Sequence, residues 1–405
     1  MAQLTSADTF QRDAEPPSRL RIGLISEFVY PFHKGGAEKR FYELGRRLAA
    51  RGHDVHWFAM RHWDGDPSIV FEGMRLHSAR EPLDVYAPDG SRSIGAAMRL
   101  SLALTRALRR VPVQFDVIDC SLYPIFHIFG SKLVRREIPL VVTWHEYWGD
   151  HWYEYLGRRG LVGKHVERLA ARVPQRIIAV SDMAREGLEQ SGVESGRVST
   201  IHNGVDTAGI ESVAPSGNVF DIVFFGRLKN HKNVGLLLSA VARLKERRSG
   251  ISCLVIGDGP ERESLESLAV ELGIARNVVF KGAVDDEEML SLVKSSRVFV
   301  NPSTKEGGGS ITLLEANAAG VPAIAIRHPM GIDEALIREG ENGWWVEEAD
   351  AWKLAAVIAH ALESADSDAL AARCRRFARR YDWDAVAERY ERVYTDVVFR
   401  SRKAA

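Results

Sequence analysis

Short apolar runs alternate along this chain with longer stretches in which apolar residues return at helical spacing. The run RIGLISEFVY (21–30) reads as a strand, the loop PFHKGG follows, AEKRFYELGRRLAARG (37–52) reads as a helix closed by Gly52, and HDVHWFAM (53–60) reads as the next strand. Strand, glycine loop, helix, strand is a βαβ unit, whose right-handed crossover predicts a parallel sheet covered by helices. FDVIDC (115–120), PLVVTWHE (139–146), RIIAVS (176–181) and VSTIHNG (198–204) continue the pattern, so residues 19–213 are expected to form one open Rossmann-like domain.

APSGNV (214–219) reads as a linker, and a second series begins after it. Strands are expected over DIVFFGRL (221–228), SCLVIGDG (252–259), NVVFKG (277–282), RVFVNPS (297–303), PAIAI (322–326) and GWWVE (343–347), with helices at 233–247, 260–273, 285–295 and 312–319. This alternation predicts a second Rossmann-like domain over 214–380. Beyond Asp350 the pattern is helical to the end, and Trp383, Val386, Tyr390 and Val393 share one face. A helix over 381–405 must therefore cover something, and the first domain is the expected surface. The fold class is α/β: two Rossmann-like domains whose parallel sheets turn their carboxyl ends to a central cleft, where ligands of such sheets bind.

Composition changes this picture mainly by exclusion. The 405 residues are 45% hydrophobic and 27% charged, enough for two separate cores. Lys+Arg and Asp+Glu both number 54, so no global field attracts nucleic acid, and any anion site must be local. Cys120, Cys253 and Cys374 are widely spaced, which fits buried thiols of a reducing compartment better than disulfides or zinc ligands. Residues 1–18 are polar without an apolar core and are expected to form a flexible tail. No run of eighteen uncharged apolar residues occurs, so a cytoplasmic location is expected. The basic, partly apolar stretch 156–176 reads as a solvated helix face, with peripheral contact to anionic lipid as the alternative.

The candidate chemistry gathers at strand ends. In FFGRLKNHKN a strand ends at Gly226, Arg227 follows, and Lys232 stands near the start of a helix. A guanidinium, an ammonium and exposed helix N–H groups together make a compact anion site; singly, the two cations would read as a solvated surface pair. In KEGGGSITLLEANAAG, Glu306 precedes Gly307, Gly308 and Gly309, and Glu315 lies in the helix that Ser310 and Ile311 open. Glycines there let backbone N–H groups face a phosphate, while carboxylates near a phosphate make sense only if they read hydroxyls. A sugar nucleotide combines sugar hydroxyls, a diphosphate and a ribose diol. Asp285-Asp286 reads as a helix N-terminus, not as a metal-binding pair, and no cofactor or metal is called for.

Taken in order, GLISEFVYPFHKGGAEKRFYELGRRLAARGHDV, VVTWHE, IIAVSDMARE, IHNGVD, VFFGRLKNHKN, LVIGDGPERESL, VVFKGAVDDEEM and the carboxylate loop resemble the retaining glycosyltransferases of family 4, with the GT-B fold. The resemblance implies a transferase that moves a sugar from a nucleoside diphosphate, UDP- or GDP-linked, to a hydroxyl of a small molecule, glycan or lipid. It implies that Arg227 and Lys232 hold the diphosphate, that Glu306 touches the transferred sugar, that Glu315 holds the ribose, and that His145 meets the sugar near the reacting carbon. It lines the donor site with Gly35, Gly36, Gly226, Gly282, Gly307, Gly308, Gly309, Ser310 and Ile311. One departure stands out: the family's two carboxylates are separated by seven residues, but eight lie between Glu306 and Glu315, and the extra one falls among the glycines. Glu38, Trp144, Tyr147 and Trp148 are candidates for the acceptor side. Glu38 has a helix-dipole explanation as well, and the aromatic cluster 144–155 reads either as a satellite core or as an acceptor wall. An epimerase or phosphorylase on the same fold, or a non-catalytic nucleotide- or glycan-binding module, is the alternative reading.

Overall fold

The computed structural model describes residues 19–33, 35–85, 93–365 and 367–404; the tail expected over 1–18 lies outside them. The first sheet comprises β1 (Arg21–Ile25), β2 (Asp54–Met60), β3 (Ser68–Phe71), β4 (Met74–Arg80), β5 (Val117–Ser121), β6 (Leu140–Trp144), β7 (Arg176–Ala179) and β8 (Val198–Thr200), in the order β3-β4-β2-β1-β5-β6-β7-β8. Its pairings are parallel except β3 with β4. The second comprises β9 (Phe220–Phe225), β10 (Cys253–Ile256), β11 (Val278–Gly282), β12 (Ser296–Asn301), β13 (Ala323–Ile326) and β14 (Gly343–Val346), all parallel, in the order β11-β10-β9-β12-β13-β14. The central strands β5 and β6 are buried along their whole length, as helices on both faces of a parallel sheet require.

The β3–β4 hairpin is absent from the elements that apolar runs predict. It is half-exposed and edge-placed: Met74 and Leu76 are buried and Arg75 between them is exposed. Glu72 (φ 49°) and Gly73 (φ 77°) form its turn, both left-handed, which is the twist a two-residue hairpin prefers. The helix Ile94–Arg110, with Ser93 as its cap, also goes unpredicted.

Each sheet is sandwiched between two apolar clusters. Val205 and Ile210 pack with Val223 and Leu313, so the second core begins before residue 214 and the segment 214–219 lies within that lobe. The C-terminal helix Trp383–Ala404 returns to the first lobe, burying Trp383, Val386, Tyr390 and Tyr394 against Leu24, Val55 and Trp57. A buried polar seam fixes it there. Arg40 donates to the Tyr390 hydroxyl (2.9 Å), and the Asp119 carboxylate accepts from the hydroxyls of Tyr394 (2.6 Å) and Thr143 (3.0 Å). Burial raises the Asp119 pKa to about 6 against the pull of those donors. The three cysteines are free and buried. No helix among the described residues is long and apolar enough to cross a membrane.

Candidate active site

The lobes meet along the carboxyl ends of their sheets. The loop after β1 sends the Tyr30 hydroxyl to Asp286 of the second lobe (3.0 Å), and Lys39, in the helix Gly36–Ala50, donates to Glu315 (2.6 Å). From the first lobe, the Ser181 hydroxyl donates to the Gly307 carbonyl (3.3 Å) and the Asn203 amide to the Gly309 carbonyl (3.4 Å). Asp333 accepts the Asp182 N–H and lies 3.5 Å from the His202 ring. Burial works against the Asp333 charge, but His202 and the backbone N–H groups outweigh it and lower its pKa. Asp182, His202 and Asp333 thus gather across the seam, with the Asp182 carboxylate accepting from the Thr200 hydroxyl (3.0 Å) and the His202 Nε2 buried without a hydrogen-bond partner.

On the second lobe, Arg227 follows β9 and Gly226 and is exposed; Lys232 ends a short turn before the helix Val234–Arg247. The Lys232 ammonium bridges both oxygens of Glu306, at 2.7 and 2.9 Å. The Arg227 side chain makes no hydrogen bond or ion pair among the described residues, yet its charge reaches His33 of the first lobe. Burial, then His62 and Arg227, lower the His33 pKa.

In the glycine loop, Gly307 (φ 62°) and Gly308 (φ 88°) are consecutive left-handed residues, a conformation costly to any side chain. Their N–H groups do not face the cleft as expected: Glu306 and Gly307 donate to the Met330 carbonyl and Gly308 to Gly331. This strand-like pairing, continued by Asp333 donating to Gly308, anchors the loop to its own lobe. The free N–H groups are those of Gly309, Ser310 and Ile311, which are without a partner among the described residues. Ser310 caps the helix Ile311–Ala318 by accepting from Leu313 (3.4 Å), so these donors sit at a helix N-terminus. Glu315 is buried in that helix, and Lys39 is its counter-ion. Burial disfavours the Lys39 charge, and the adjacent Glu315 carboxylate outweighs it and raises the pKa. Gly36 approaches Ile311, its missing side chain lying 3.7 Å from the Ile311 Cδ1. Gly282 stands apart, at the end of edge strand β11 against Arg262.

On the first lobe, His145 follows β6 and exchanges a hydrogen bond with the Ser121 hydroxyl (3.1 Å). Burial, seconded by the Arg40 charge, pushes its pKa down to about 3, so the imidazole is neutral at physiological pH. Its neighbour Glu146 comes within 3.2 Å of where a Gly307 side chain would begin. Glu38 folds back over Gly35 and lies 3.9 Å from His33, occupying the space a Gly35 side chain would need. Trp144 departs from expectation: it is fully buried in β6 and cannot meet an acceptor. Strand alternation inside a covered sheet decides this, since both faces of β6 are core. Tyr147 and Trp148 do line a cavity of about 530 Å³ at the lobe seam, with Gly307, Pro329 and Met330 opposite.

Several participants escape sequence reasoning. Lys39 and Arg40 lie in an amphipathic helix where cations read as solvated. Arg40 is instead buried, donating to Asn203 (2.8 Å), which in turn holds the Gly309 carbonyl. Glu167 is buried within a basic stretch and accepts from the N–H groups of Trp148 (2.9 Å) and Gly149 (2.9 Å) and from the Trp152 indole (3.0 Å). Burial raises its pKa despite those donors. A lone acid amid basic residues, near tryptophans needing an acceptor, was the available signal.

Facing sheets with a cationic, glycine-looped cleft define the GT-B architecture of glycosyltransferases. Residues 34–208 match the Glycosyltransferase Family 4 model and residues 210–381 match Glycosyl transferases group 1; the chain belongs to this family and is a glycosyltransferase. Among its relatives, the glycogen synthase of Mycobacterium tuberculosis is 28% identical over 401 residues, covering 93% of this chain and 94% of that one. The phosphatidyl-myo-inositol mannosyltransferase of Mycobacterium leprae is 28% identical over 391 residues, covering 93% and 97%. In structure, sucrose-phosphate synthase from Thermosynechococcus elongatus superposes with a TM-score of 0.76 at 21% identity, over 93% of this chain and 99% of that one. HepE of Anabaena, solved in complex with UDP-glucose, gives 0.69 at 19% identity, over 93% and 100%. Both likenesses speak to the fold.

Proposed function

We propose that this enzyme moves a hexose-type sugar from a UDP- or GDP-linked donor to an acceptor hydroxyl, with retention of the anomeric configuration. The observation that carries the donor half is the convergence of Lys232, exposed Arg227 and the free N–H groups of Gly309, Ser310 and Ile311. Breaking the bond between the anomeric carbon and a diphosphate leaves negative charge on the leaving oxygen. Preformed cations and amide dipoles aimed at that charge supply the largest catalytic contribution. Without donor, Lys232 is neutralised by Glu306; with donor, the ammonium would share itself with the phosphate, and Glu306 would accept from sugar hydroxyls. Glu315, whose carboxylate Lys39 already orients, is suited to the ribose diol. His145, held neutral, suits a hydrogen bond to the sugar and not a charge against the oxocarbenium-like transition state.

Retention requires the acceptor oxygen to enter on the face from which the diphosphate leaves. The bond from anomeric carbon to phosphate oxygen breaks, the bond to the acceptor oxygen forms, and the acceptor proton passes to the departing phosphate. The acceptor, a small molecule, glycan or lipid, would approach from the first lobe, where Tyr147 and Trp148 line the seam. Slow hydrolysis of a nucleotide-sugar panel tests the reading: one UDP- or GDP-sugar should turn over without acceptor and release the sugar first as its original anomer by NMR. No hydrolysis across the panel, or release of the opposite anomer, would contradict it.

A further inference from the structure

We propose that the first lobe holds the apolar part of an amphipathic acceptor in a cavity of about 320 Å³ beside the cleft. The inference rests on the transfer reading above and specifies its acceptor class.

The cavity is walled by the start of the helix Ile94–Arg110, the turn 123–126, the rings of Trp148, Trp152 and Tyr155, and the helix Gly160–Arg172. Its lining is almost wholly apolar. Ser93 caps a helix by accepting from Ala96 (3.3 Å), and among the described residues the one charged residue on the wall is Arg159. Water finds few partners in such a space, whereas an alkyl chain or fused ring loses nothing polar on entering.

Adjacency to the cleft makes an acceptor the fitting occupant. Trp148 lines both this cavity and the 530 Å³ cavity that Glu146 and Gly307 share, so the two spaces adjoin at that ring. The wall is preorganised: the Glu167 carboxylate holds Trp148 and Trp152, and the helix beyond packs so close that a Gly163 side chain would start 2.5 Å from the Trp152 ring. The head would meet a cation, because Arg168 lines the cleft cavity. An oxygen-rich head at Arg168 and an apolar body past Trp148 describe an amphiphile.

The test compares octyl and methyl β-D-glucopyranoside, below the detergent's micelle concentration, on the full chain by calorimetry. The octyl glycoside should bind about tenfold or more tightly, because its chain leaves water. Ala97→Phe fills the cavity and should bring the two affinities within about twofold. Val162→Glu, at an exposed rim position that cannot unfold the core, should reduce the octyl preference as well. Equal affinities in the unaltered protein, a preference that survives both variants, or apolar binding seen only on phosphatidylglycerol vesicles would overturn the proposal. Uridine and guanosine diphosphate titrations run alongside keep the two readings separate. Nucleotide binding without octyl preference sinks the apolar site alone, and octyl preference without nucleotide binding sinks the donor reading alone.

Discussion

The two lobes are built on the same alternation of strand and helix but offer the cleft different surfaces. The second presents charge: Lys232, Arg227, Glu306 and Glu315, with free N–H groups at a helix start. The first presents a neutral imidazole and aromatic rings beside charges of its own, with Lys39 on Glu315 and Glu146 and Arg168 on the seam cavity. The charged surface is assembled from adjacent strand ends by the sheet itself. The aromatic one is assembled by a loop that needs a buried carboxylate, Glu167, to hold its shape. On the proposed reading, the charges of the second lobe serve the leaving group and the aromatic surface of the first serves the choice of acceptor.

Breaking the charged side should cost most. Lys232→Ala should lower kcat by about 10²–10³, the effect of removing one preorganised donor from developing negative charge. Melting should move little, because the pair with Glu306 lies at the cleft and not in a core. Near-normal turnover would remove Lys232 from the leaving-group site. The junction between the lobes comes next. Gly308→Ala forces a side chain into a left-handed residue (φ 88°) and against Ser181 of the other lobe. About 1–2 kcal/mol of backbone strain is expected from the conformation alone, with roughly tenfold lower donor turnover from the displaced loop. Gly217→Ala, where a side chain meets open space, is the control and should leave melting and rate unchanged.

The neutral side should show itself in pH dependence, with the smallest effect. His145 has its pKa lowered from 6.5 to about 3, so between those values the unfolded chain binds the extra proton and stability falls as pH falls. His145→Asn should flatten that fall by up to about 1 kcal/mol per pH unit, read from denaturant midpoints at pH 7 and 5. Asp119, raised to about 6, acts in the opposite sense by taking its proton first in the folded state, and it cancels in the comparison. Parallel stability curves for the two proteins would mean that His145 titrates normally.

The same contrast governs what the sequence discloses. Strands in the covered sheets announce themselves as unbroken apolar runs, and the residues proposed for the donor follow them at short spacing, so Arg227, Lys232 and the glycine loop can be picked out together as candidates. Asp285 likewise reads as a helix cap and is one, accepting from Glu288 (2.8 Å). The half-exposed β3–β4 hairpin lacks such a run, although the alternation of Met74, Arg75 and Leu76 after Glu72-Gly73 carries its signal. Trp144 misleads because a wide ring in a loop-ward run looks available when the sheet has already buried it. Lys39 is illegible for another reason: its partner Glu315 is 276 residues away, and only the folded cleft makes them neighbours. The use of the Gly307 and Gly308 N–H groups by Met330 and Gly331 is hidden in the same way.

The most direct measurement is a crystal structure with uridine or guanosine diphosphate bound. The pyrophosphate should lie within hydrogen-bonding distance of Lys232 and Arg227 and over the N–H groups of Gly309, Ser310 and Ile311, with the ribose at Glu315. A nucleotide held at any other place on the chain, or a pyrophosphate pointing away from those cations, would contradict the account.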